Sequence, residues 1–322
     1  MKTVTLIVPC YNEKDVLPMF FREVSAVLDR CTEYDFTFLF VNDGSRDTTL
    51  LIIRSLAEMD KRVKYISLSR NFGKESAMLA GMKYASSDYV GILDADLQHS
   101  PELIPEMLKA LDTGYDIAAA RRVDRSGESK LKSAFSRGFY KVINKLSDVD
   151  IAEGAQDYRI MKRKVVDAIL SMPEYNRFSK GIFSWVGFKT QWFEHVNRER
   201  AAGSTKWSFR KLTHYAMDGI IGFSTAPLKF SLYVGSVASV CGFLYALYII
   251  IKTLVLGSDV PGYPSIISAI FIFGGLILVC LGVIGEYISR IYLEVKRRPV
   301  FIIDETNIEP AENKENTKTK EK

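Results

Sequence analysis

Two long segments without a charged residue lie in the last third of this 322-residue chain. No charged side chain occurs between Lys229 and Lys252, or between Asp259 and Glu286. Each segment exceeds the ~20 apolar residues with which a helix crosses the hydrocarbon core of a bilayer. The sequence therefore excludes a purely soluble protein. It predicts two transmembrane helices, at about residues 230–251 and 265–286.

Basic residues flank these two segments on their outer sides. They are Lys206, Arg210, Lys211 and Lys229 before the first segment, and Arg290, Lys296, Arg297 and Arg298 after the second. The loop between the segments, residues 252–264, contains one lysine and one aspartate. The positive-inside rule therefore places both outer flanks in the cytoplasm.

This orientation predicts the domain organisation. The run from Val4 to Val8 ends at Pro9, so it is too short for the apolar region of a signal peptide. We expect a cytosolic domain at 1–207, a juxtamembrane amphipathic helix at 208–228 and a transmembrane hairpin at 229–290. Residues 291–322 should form a cytosolic tail that is disordered from about residue 304. The protein is then a multi-pass protein of the plasma (inner) membrane with both termini in the cytoplasm, and its hairpin is a candidate surface for homo-oligomers.

Short apolar stretches alternate with helical periods through the first 120 residues. We predict strands at 3–9, 36–41, 63–68, 89–93 and 116–120, and helices at 15–28, 47–59, 75–85 and 101–111. Residues 133–187 are predicted as further helices around a polar stretch at 156–159, and residues 189–196 as a strand. This alternation is typical of βαβ units and of a mostly parallel sheet with helices on both faces. The fold class is α/β.

Asp94 and Asp96 follow the fourth predicted strand, and Gln98 lies two residues further on. Ligands of open parallel sheets bind outside the carboxyl ends of the strands. Mg²⁺ takes oxygen ligands, commonly one or two carboxylates together with substrate phosphates. This pattern indicates a metal-bridged nucleotide diphosphate. In the alternative, Asp94 caps the turn and Asp96 is simply solvated.

The loops after the first two strands carry further candidates. Asp43 could accept a hydrogen bond from a nucleobase, with Gly44 allowing the turn, although the pattern alone favours a simple Asp-Gly turn. Tyr11 could stack on a base and Glu13 could bind a ribose, or both could be ordinary loop residues. The basic residues from Arg121 onward could neutralise a phosphate, or they could form a solvated face beside anionic lipid.

Composition excludes several other kinds of protein. A net charge of +5, without a stripe of basic and aromatic residues, does not indicate a nucleic-acid partner. The four cysteines form no CxxC pair, so neither a zinc site nor a disulfide framework is predicted. The three histidines share no ligand spacing, and we expect each to be structural.

The polar motifs together resemble glycosyltransferase family 2, which has the GT-A fold. They are Pro9-Cys-Tyr-Asn-Glu13, Asn42-Asp-Gly-Ser45, Arg70-Asn-Phe-Gly-Lys-Glu75, Asp94-Ala-Asp-Leu-Gln-His99 and Gln156-Asp-Tyr-Arg159. The later stretches Arg200–Trp207 and Phe223–Pro227 resemble the polyprenyl-phosphate glycosyltransferases, which include bacterial undecaprenyl-phosphate glucosyltransferases and dolichyl-phosphate mannose synthases. Ser204 departs from the glutamate that relatives often have.

The resemblance implies roles for individual residues. The nucleotide sugar would be held by Pro9, Tyr11, Asn12, Glu13, Asp43, Lys74 and Asp94. Asp94, Asp96 and Gln98 would hold Mg²⁺ or Mn²⁺. The catalytic residues would be Asp157, near the anomeric carbon, and Asp96. The acceptor phosphate would be bound by Arg121, Lys132, Ser136, Arg137, Arg200 and Lys206.

The implied reaction is an inverting hexose transfer from a nucleotide diphosphate sugar to a polyprenyl phosphate, which supplies a lipid-linked sugar for cell-envelope glycosylation. UDP-glucose is the preferred donor; UDP-N-acetylglucosamine, GDP-mannose and an aminoarabinose donor are alternatives. A processive polysaccharide synthase is less consistent with the sequence, which has no Gln-x-x-Arg-Trp motif. A membrane scaffold that binds nucleotide sugar without turnover is the alternative outside enzymes.

Overall fold

The structure is a computed structural model that describes residues 1–122, 144, 152–172, 174–195, 219–256 and 262–308. The chain divides into two compact units. The first consists of Met1–Gly138, Ile151–Ser208 and Pro299–Lys322, and it contains a β-sheet. The second consists of Phe139–Asp150 and Phe209–Arg298, and it contains two long helices.

The described part of the first unit has eight strands and six helices. The strands are β1 (Lys2–Cys10), β2 (Tyr34–Asn42), β3 (Val63–Leu68), β4 (Tyr89–Ile92), β5 (Ile117–Arg122), β6 (Ala155–Lys162), β7 (Thr190–His195) and β8 (Ile303–Thr306). The helices are α1 (Leu17–Leu28), α2 (Thr49–Met59), α3 (Lys74–Tyr84), α4 (Leu103–Asp112), α5 (Arg163–Leu170) and α6 (Ser179–Trp185).

The strands form one sheet in the order β7-β5-β6-β4-β1-β2-β3-β8. The pairs β1–β2, β1–β4, β2–β3 and β5–β7 are parallel. The pairs β4–β6, β5–β6 and β3–β8 are antiparallel. The predicted α/β class, with a mostly parallel GT-A-type sheet, is confirmed.

Burial on both faces of the sheet explains why its central strands are continuously apolar. Residues 4–8 of β1 and 38–41 of β2 are almost fully buried. Thr5 is the one polar residue among them. Strands covered by helices on both sides have no polar face to alternate with. Helix α3 packs closely on β1, because a Cβ on Gly81 would lie 2.3 Å from Ile7 Cγ2. Only glycine allows this approach.

Two elements of the first unit differ from the sequence-based expectation. The polar stretch expected among helices lies on strand β6, which is inserted antiparallel between β4 and β5. The tail expected to be disordered from about residue 304 begins with β8, which pairs with the edge strand β3, whereas residues 309–322 lie outside the described residues. Ser69 N–H donates to Ile302 O at 2.9 Å, and Asn307 Oδ1 accepts from Tyr65 N–H at 2.7 Å. Short strands of polar residues give little periodic signal, and these pairings depend on a distant partner strand.

The second unit contains α7 (Ala226–Leu256) and α8 (Tyr263–Val295). Within them, Ala226–Lys252 and Ser268–Val295 are long and apolar enough to cross a membrane, with mean hydropathies of 2.1 and 2.5. The two helices contact each other, and Tyr287 Oη donates to Ser224 O at 2.7 Å just before α7. Both helices extend beyond the predicted spans at each end. Of the predicted juxtamembrane helix, residues 208–218 lie outside the described residues, and residues 219–223 are helical.

We predict that β8 stabilises the first unit. Truncation after Phe301 should lower its unfolding temperature by about 3–10 °C, because the hydrogen bonds to β3 and the Arg54–Glu305 ion pair are lost. Thermal unfolding of the purified protein in detergent measures the effect. Truncation after Ile308 is the matched control and should leave the unfolding temperature unchanged. Equal unfolding temperatures for the two truncations would contradict a stabilising role of β8.

Candidate active site

Hydrogen bonds join the loops that follow β1 and β2. Asn12 donates its backbone N–H to Ser45 Oγ at 3.0 Å, and its Oδ1 accepts from Arg46 N–H at 2.8 Å. Glu13 N–H donates to Thr49 Oγ1 at 2.9 Å. Asn12 has a φ of 54°, in the left-handed region that asparagine tolerates better than most residues. Pro9, Tyr11, Asn12 and Glu13 are thus held together at the carboxyl end of β1.

Asp43 extends this connection to the loop after β3. Its carboxylate is 3% exposed and accepts hydrogen bonds from Phe72 N–H at 2.7 Å, Gly73 N–H at 2.9 Å and Asn71 Nδ2 at 3.0 Å. Burial raises the pKa of Asp43 despite the backbone donors. Gly44 follows with a φ of 60°, and a Cβ there would lie 2.3 Å from the Arg70 carbonyl carbon. Asp43 and Gly44 therefore bring the loop after β2 into contact with the loop after β3. The alternative of a simple Asp-Gly surface turn does not account for these contacts.

Lys74 joins two carboxylates that come from different strands. Helix α3 begins at this residue, and Nζ lies 2.6 Å from Asp94 Oδ1 and 2.6 Å from Asp157 Oδ2. Asp94 follows β4, whereas Asp157 lies on β6, the antiparallel neighbour of β4. The structure therefore brings together three residues that the sequence analysis took from three separate motifs.

The electrostatics of this group keep all three residues charged. Burial opposes ionisation of Asp94 and Asp157, but the nearby ammonium of Lys74 outweighs it and lowers the pKa of both carboxyls. Desolvation likewise opposes the charge on Lys74, and the two carboxylates raise its pKa well above the usual range. Neither aspartate is thus poised to accept a proton near neutral pH.

Asp96 and Gln98 lie in the same loop as Asp94. Asp96 Oδ1 accepts from Gln98 N–H at 3.2 Å, and Leu97 between them has a φ of 56°. Two carboxylates and an amide are the hard oxygen donors that suit Mg²⁺ or Mn²⁺. Among the described residues, no three His, Cys, Asp or Glu side chains gather as a metal-binding group. The chemistry of these three oxygen-bearing side chains fits a hard cation whose remaining ligands are oxygens of a bound substrate or water.

A pair of buried histidines lies behind Asp94. His99 Nδ1 and His195 Nε2 are 3.0 Å apart, and His99 Nε2 lies 3.7 Å from Asp94 Oδ2. The His99 ring stacks on Tyr158 with centroids 5.2 Å apart. The expectation that each histidine is structural overlooked this pairing. No local sequence signal reveals it, because the two residues are 96 positions apart and meet only through the order of the strands.

Two further charged residues near Asp157 were absent from the sequence-based site. Arg159 is 3% exposed, its Nη2 donates to Gln156 O at 2.6 Å, and its guanidinium carbon lies 3.6 Å from the Phe183 ring centroid. Glu75 accepts a hydrogen bond from Ser179 Oγ. Burial, together with the charge of Asp157, raises the pKa of Glu75 to about 7. Glu75 and Arg159 belong to two of the sequence motifs quoted above. Their membership in those motifs is the feature of the sequence from which they could have been predicted as site residues.

The expected acceptor-binding residues are only partly described. Arg121 lies on β5 and forms an ion pair with Glu194 on the adjacent strand β7, where the two residues are in register. Lys132, Ser136, Arg137, Arg200 and Lys206 lie outside the described residues. The described part of the site is therefore the edge formed by the ends of β1 to β4 and the start of β6.

The geometry suits an anionic ligand bridged by a cation. Lys74 places a positive charge directly beside Asp94. Asp96 and Gln98 follow in the same loop, where they carry further oxygen atoms. The loops after β1, β2 and β3 follow neighbouring strands of the same sheet edge and are joined to one another by hydrogen bonds. Preorganised charges of this kind stabilise charge that develops on a leaving group.

Comparison with known protein families gives two matches along the chain. Residues 5–170 match the model "Glycosyl transferase family 2". Residues 226–291, which cover most of α7 and α8, match the model "GtrB C-terminal hairpin". The first match covers β1 to β6 of the sheet unit, and the second covers most of the apolar helical unit.

Individual relatives resemble the chain over almost its entire length. The "Putative glycosyltransferase CsbB" of Bacillus subtilis (strain 168) is 43% identical over 305 residues, which cover 95% of this chain and 92% of the relative. The "Prophage bactoprenol glucosyl transferase homolog" of Escherichia coli (strain K12) is 42% identical over 300 residues, covering 93% and 98%. The "Bactoprenol glucosyl transferase" of Shigella phage SfV is 44% identical over 300 residues, covering 93% and 97%.

Among solved structures, a glucosyl-3-phosphoglycerate synthase from Mycobacterium tuberculosis has a TM-score of 0.45 and 17% identity, covering 68% of this chain and 78% of that one. This likeness is too distant to inform on ligands. The family match spans just over half of the chain, and the relatives above match it nearly from end to end. The chain belongs to glycosyl transferase family 2, and its two long apolar helices match the GtrB C-terminal hairpin.

Proposed function

We propose that this enzyme transfers glucose from UDP-glucose to a polyprenyl phosphate at the cytoplasmic face of the membrane. The observation that carries the proposal is the group formed by Lys74, Asp94 and Asp157, in a chain that also has two membrane-length apolar helices. The names of the relatives, bactoprenol glucosyl transferases at 42–44% identity, support both the sugar and the lipid. The hairpin would keep the site at the leaflet where a lipid phosphate presents its headgroup.

In this proposal the donor nucleotide binds along the loops after β1, β2 and β3. Tyr11 and Glu13 would contact the nucleoside. The buried carboxylate of Asp43 already accepts three hydrogen bonds from residues 71–73. A carboxylate has about four lone-pair sites, so it retains room for one base N–H. Asp43 would then both shape the pocket and contact the base.

Asp94, Asp96 and Gln98 would hold Mg²⁺ or Mn²⁺ against the donor's diphosphate. When bound, the metal would neutralise negative charge on the leaving diphosphate. Lys74 supplies a further positive charge at the same place. These residues therefore favour departure of the nucleoside diphosphate.

Asp157 would stabilise charge on the sugar and would not serve as a strong general base. A phosphate monoester has a second pKa near ~6 and is already largely anionic at neutral pH, so the acceptor needs little help in losing a proton. Lys74 keeps Asp157 ionised. An ionised carboxylate beside the anomeric carbon stabilises the positive charge that develops on the sugar ring during displacement. Attack by the acceptor on the opposite face would invert the anomeric centre.

The acceptor phosphate would be held by the basic residues from Arg121 onward. Arg121 is paired with Glu194 in a partly exposed ion pair, a kind of pair that contributes little to stability, so a phosphate could replace Glu194 at small cost. The other proposed phosphate-binding residues are assigned only from the resemblance to the family. They are Lys132, Ser136, Arg137, Arg200 and Lys206.

The donor and acceptor are tested by reconstituting the purified protein with undecaprenyl phosphate and radiolabelled nucleotide sugars. We predict that label enters the lipid extract from UDP-glucose at least ~10-fold faster than from UDP-N-acetylglucosamine or GDP-mannose. Asp157→Asn should reduce the rate by ~100-fold or more, since the charge beside the anomeric carbon is lost. Lys109→Met on the exposed face of α4 is the control and should retain the wild-type rate. Lipid labelling by none of the donors would favour the scaffold alternative.

A second prediction concerns the metal. Asp96→Asn should abolish transfer more completely than Asp43→Asn, because it removes a metal ligand, whereas asparagine at position 43 keeps one side-chain oxygen that can accept hydrogen bonds from the loop before α3. Removal of divalent ions with excess chelator should reproduce the effect in the wild type, and added Mg²⁺ or Mn²⁺ should restore the rate. The measurement is the initial rate of lipid labelling. Full activity in excess chelator would disprove metal dependence.

A third prediction concerns orientation in the membrane. Four basic residues on each outer flank, against one in the intervening loop, would place both termini in the cytoplasm. Protease added to spheroplasts should leave a carboxyl-terminal tag intact, whereas a tag inserted after Ser258 should be removed. Rapid loss of the carboxyl-terminal tag, with survival of the loop tag, would reverse the proposed topology.

A further inference from the structure

We propose that Lys74 is an exchanging counter-ion: its ammonium pairs with Asp94 until a divalent cation binds this carboxylate, and it then pairs with the donor's diphosphate. The inference rests on the proposed function and deepens the role of one residue of that site. It follows from what already surrounds Asp94 in the structure.

Both carboxylate oxygens of Asp94 face groups of the protein itself. Oδ1 lies 2.6 Å from Lys74 Nζ, and Oδ2 lies 3.7 Å from His99 Nε2. A divalent cation that uses Oδ1 must displace the ammonium, because the two positive charges cannot share that position. At ~4 Å, repulsion between a divalent and a monovalent cation is large even in a partly solvated site.

Asp157 keeps Lys74 close after the exchange. Nζ lies 2.6 Å from Asp157 Oδ2, so the ammonium loses only one of its two carboxylate partners when Asp94 becomes a metal ligand. Lys74 is the first residue of α3, and its side chain is 40% exposed, so the ammonium has room to turn outward. A diphosphate bound to the same cation lies beside Asp94 and offers the replacement anion.

The exchange links metal binding to donor binding. Without a nucleotide, Lys74 competes with the cation for Asp94 and weakens metal binding. With a nucleotide diphosphate present, the same charge is attractive. The enzyme should therefore hold the cation and the diphosphate together far better than it holds the cation alone.

The test is a pair of binding measurements on the full-length protein in detergent, without acceptor or turnover. Mn²⁺ alone is titrated by electron paramagnetic resonance, and UDP is titrated by calorimetry at saturating Mn²⁺. We expect Mn²⁺ alone to bind to the Lys74→Met variant at least ~10-fold more tightly than to the wild type. UDP should bind roughly ten- to hundred-fold more weakly, since a charge-assisted contact is lost.

The opposite signs of the two changes distinguish exchange from a structural role, which would weaken both interactions together. Lys74→Arg keeps the charge and should hold Mn²⁺ within about two-fold of wild type. Lys109→Met is the control for a general loss of charge and should change neither affinity. Lys74→Gln retains a hydrogen-bond donor without the charge and replaces the methionine variant if thermal unfolding shows that the latter is not folded.

Unchanged or weaker Mn²⁺ binding by both neutral variants would overturn the proposal. Unchanged UDP affinity would also overturn it, because Lys74 would then only repel the cation. A wild-type protein that binds neither Mn²⁺ nor UDP would instead contradict the proposed function. If the wild-type protein binds Mn²⁺ and UDP but transfers no glucose, the proposed function is contradicted, whereas the exchange at Lys74 is not.

Discussion

The carboxylate of Asp43 is the interaction on which the rest of the site depends. It is buried, and it accepts backbone hydrogen bonds from Phe72 and Gly73, the two residues directly before α3. An ionised group in this position is costly unless its oxygens are fully hydrogen-bonded. Satisfying Asp43 therefore fixes where α3 begins. Because α3 begins at Lys74, the same bonds determine where the ammonium meets Asp94 and Asp157.

Much of this arrangement could be predicted from the sequence, since strands β1 to β5 are short, mostly apolar stretches that alternate with helical periods. The polar residues directly after those runs include Asp43 and Asp94, and parallel strands bring such residues to one edge. The contacts that the sequence did not reveal join residues far apart in the chain. His99 meets His195 only because of the strand order, and β6 brings Asp157 to Lys74 only because it is inserted antiparallel beside β4. No periodic pattern encodes either fact.

The apolar helices show a different relation between sequence and structure. Their length and lack of charge were evident at once, because lipid imposes a simple requirement on any segment that crosses it. Large apolar side chains such as Leu254 and Phe271 are exposed in the described part of α7 and α8, as lipid-facing residues are. Hydropathy predicts such segments well, but it says little about their ends. Helix α8 continues through Arg290 to Val295, well past the apolar window.

Strand β8 has a consequence for how the protein is made. It pairs with β3, whose last residue is Leu68, yet β8 begins at Ile303, after both apolar helices. At roughly 5–20 residues per second, the ribosome needs roughly 10–50 s to synthesise the chain between them. Throughout that interval the edge of β3 has unpaired backbone groups, which in other nascent proteins invite contact with neighbouring chains. The sheet can be completed only after both apolar helices have been synthesised, so β8 is the last strand available to the first unit.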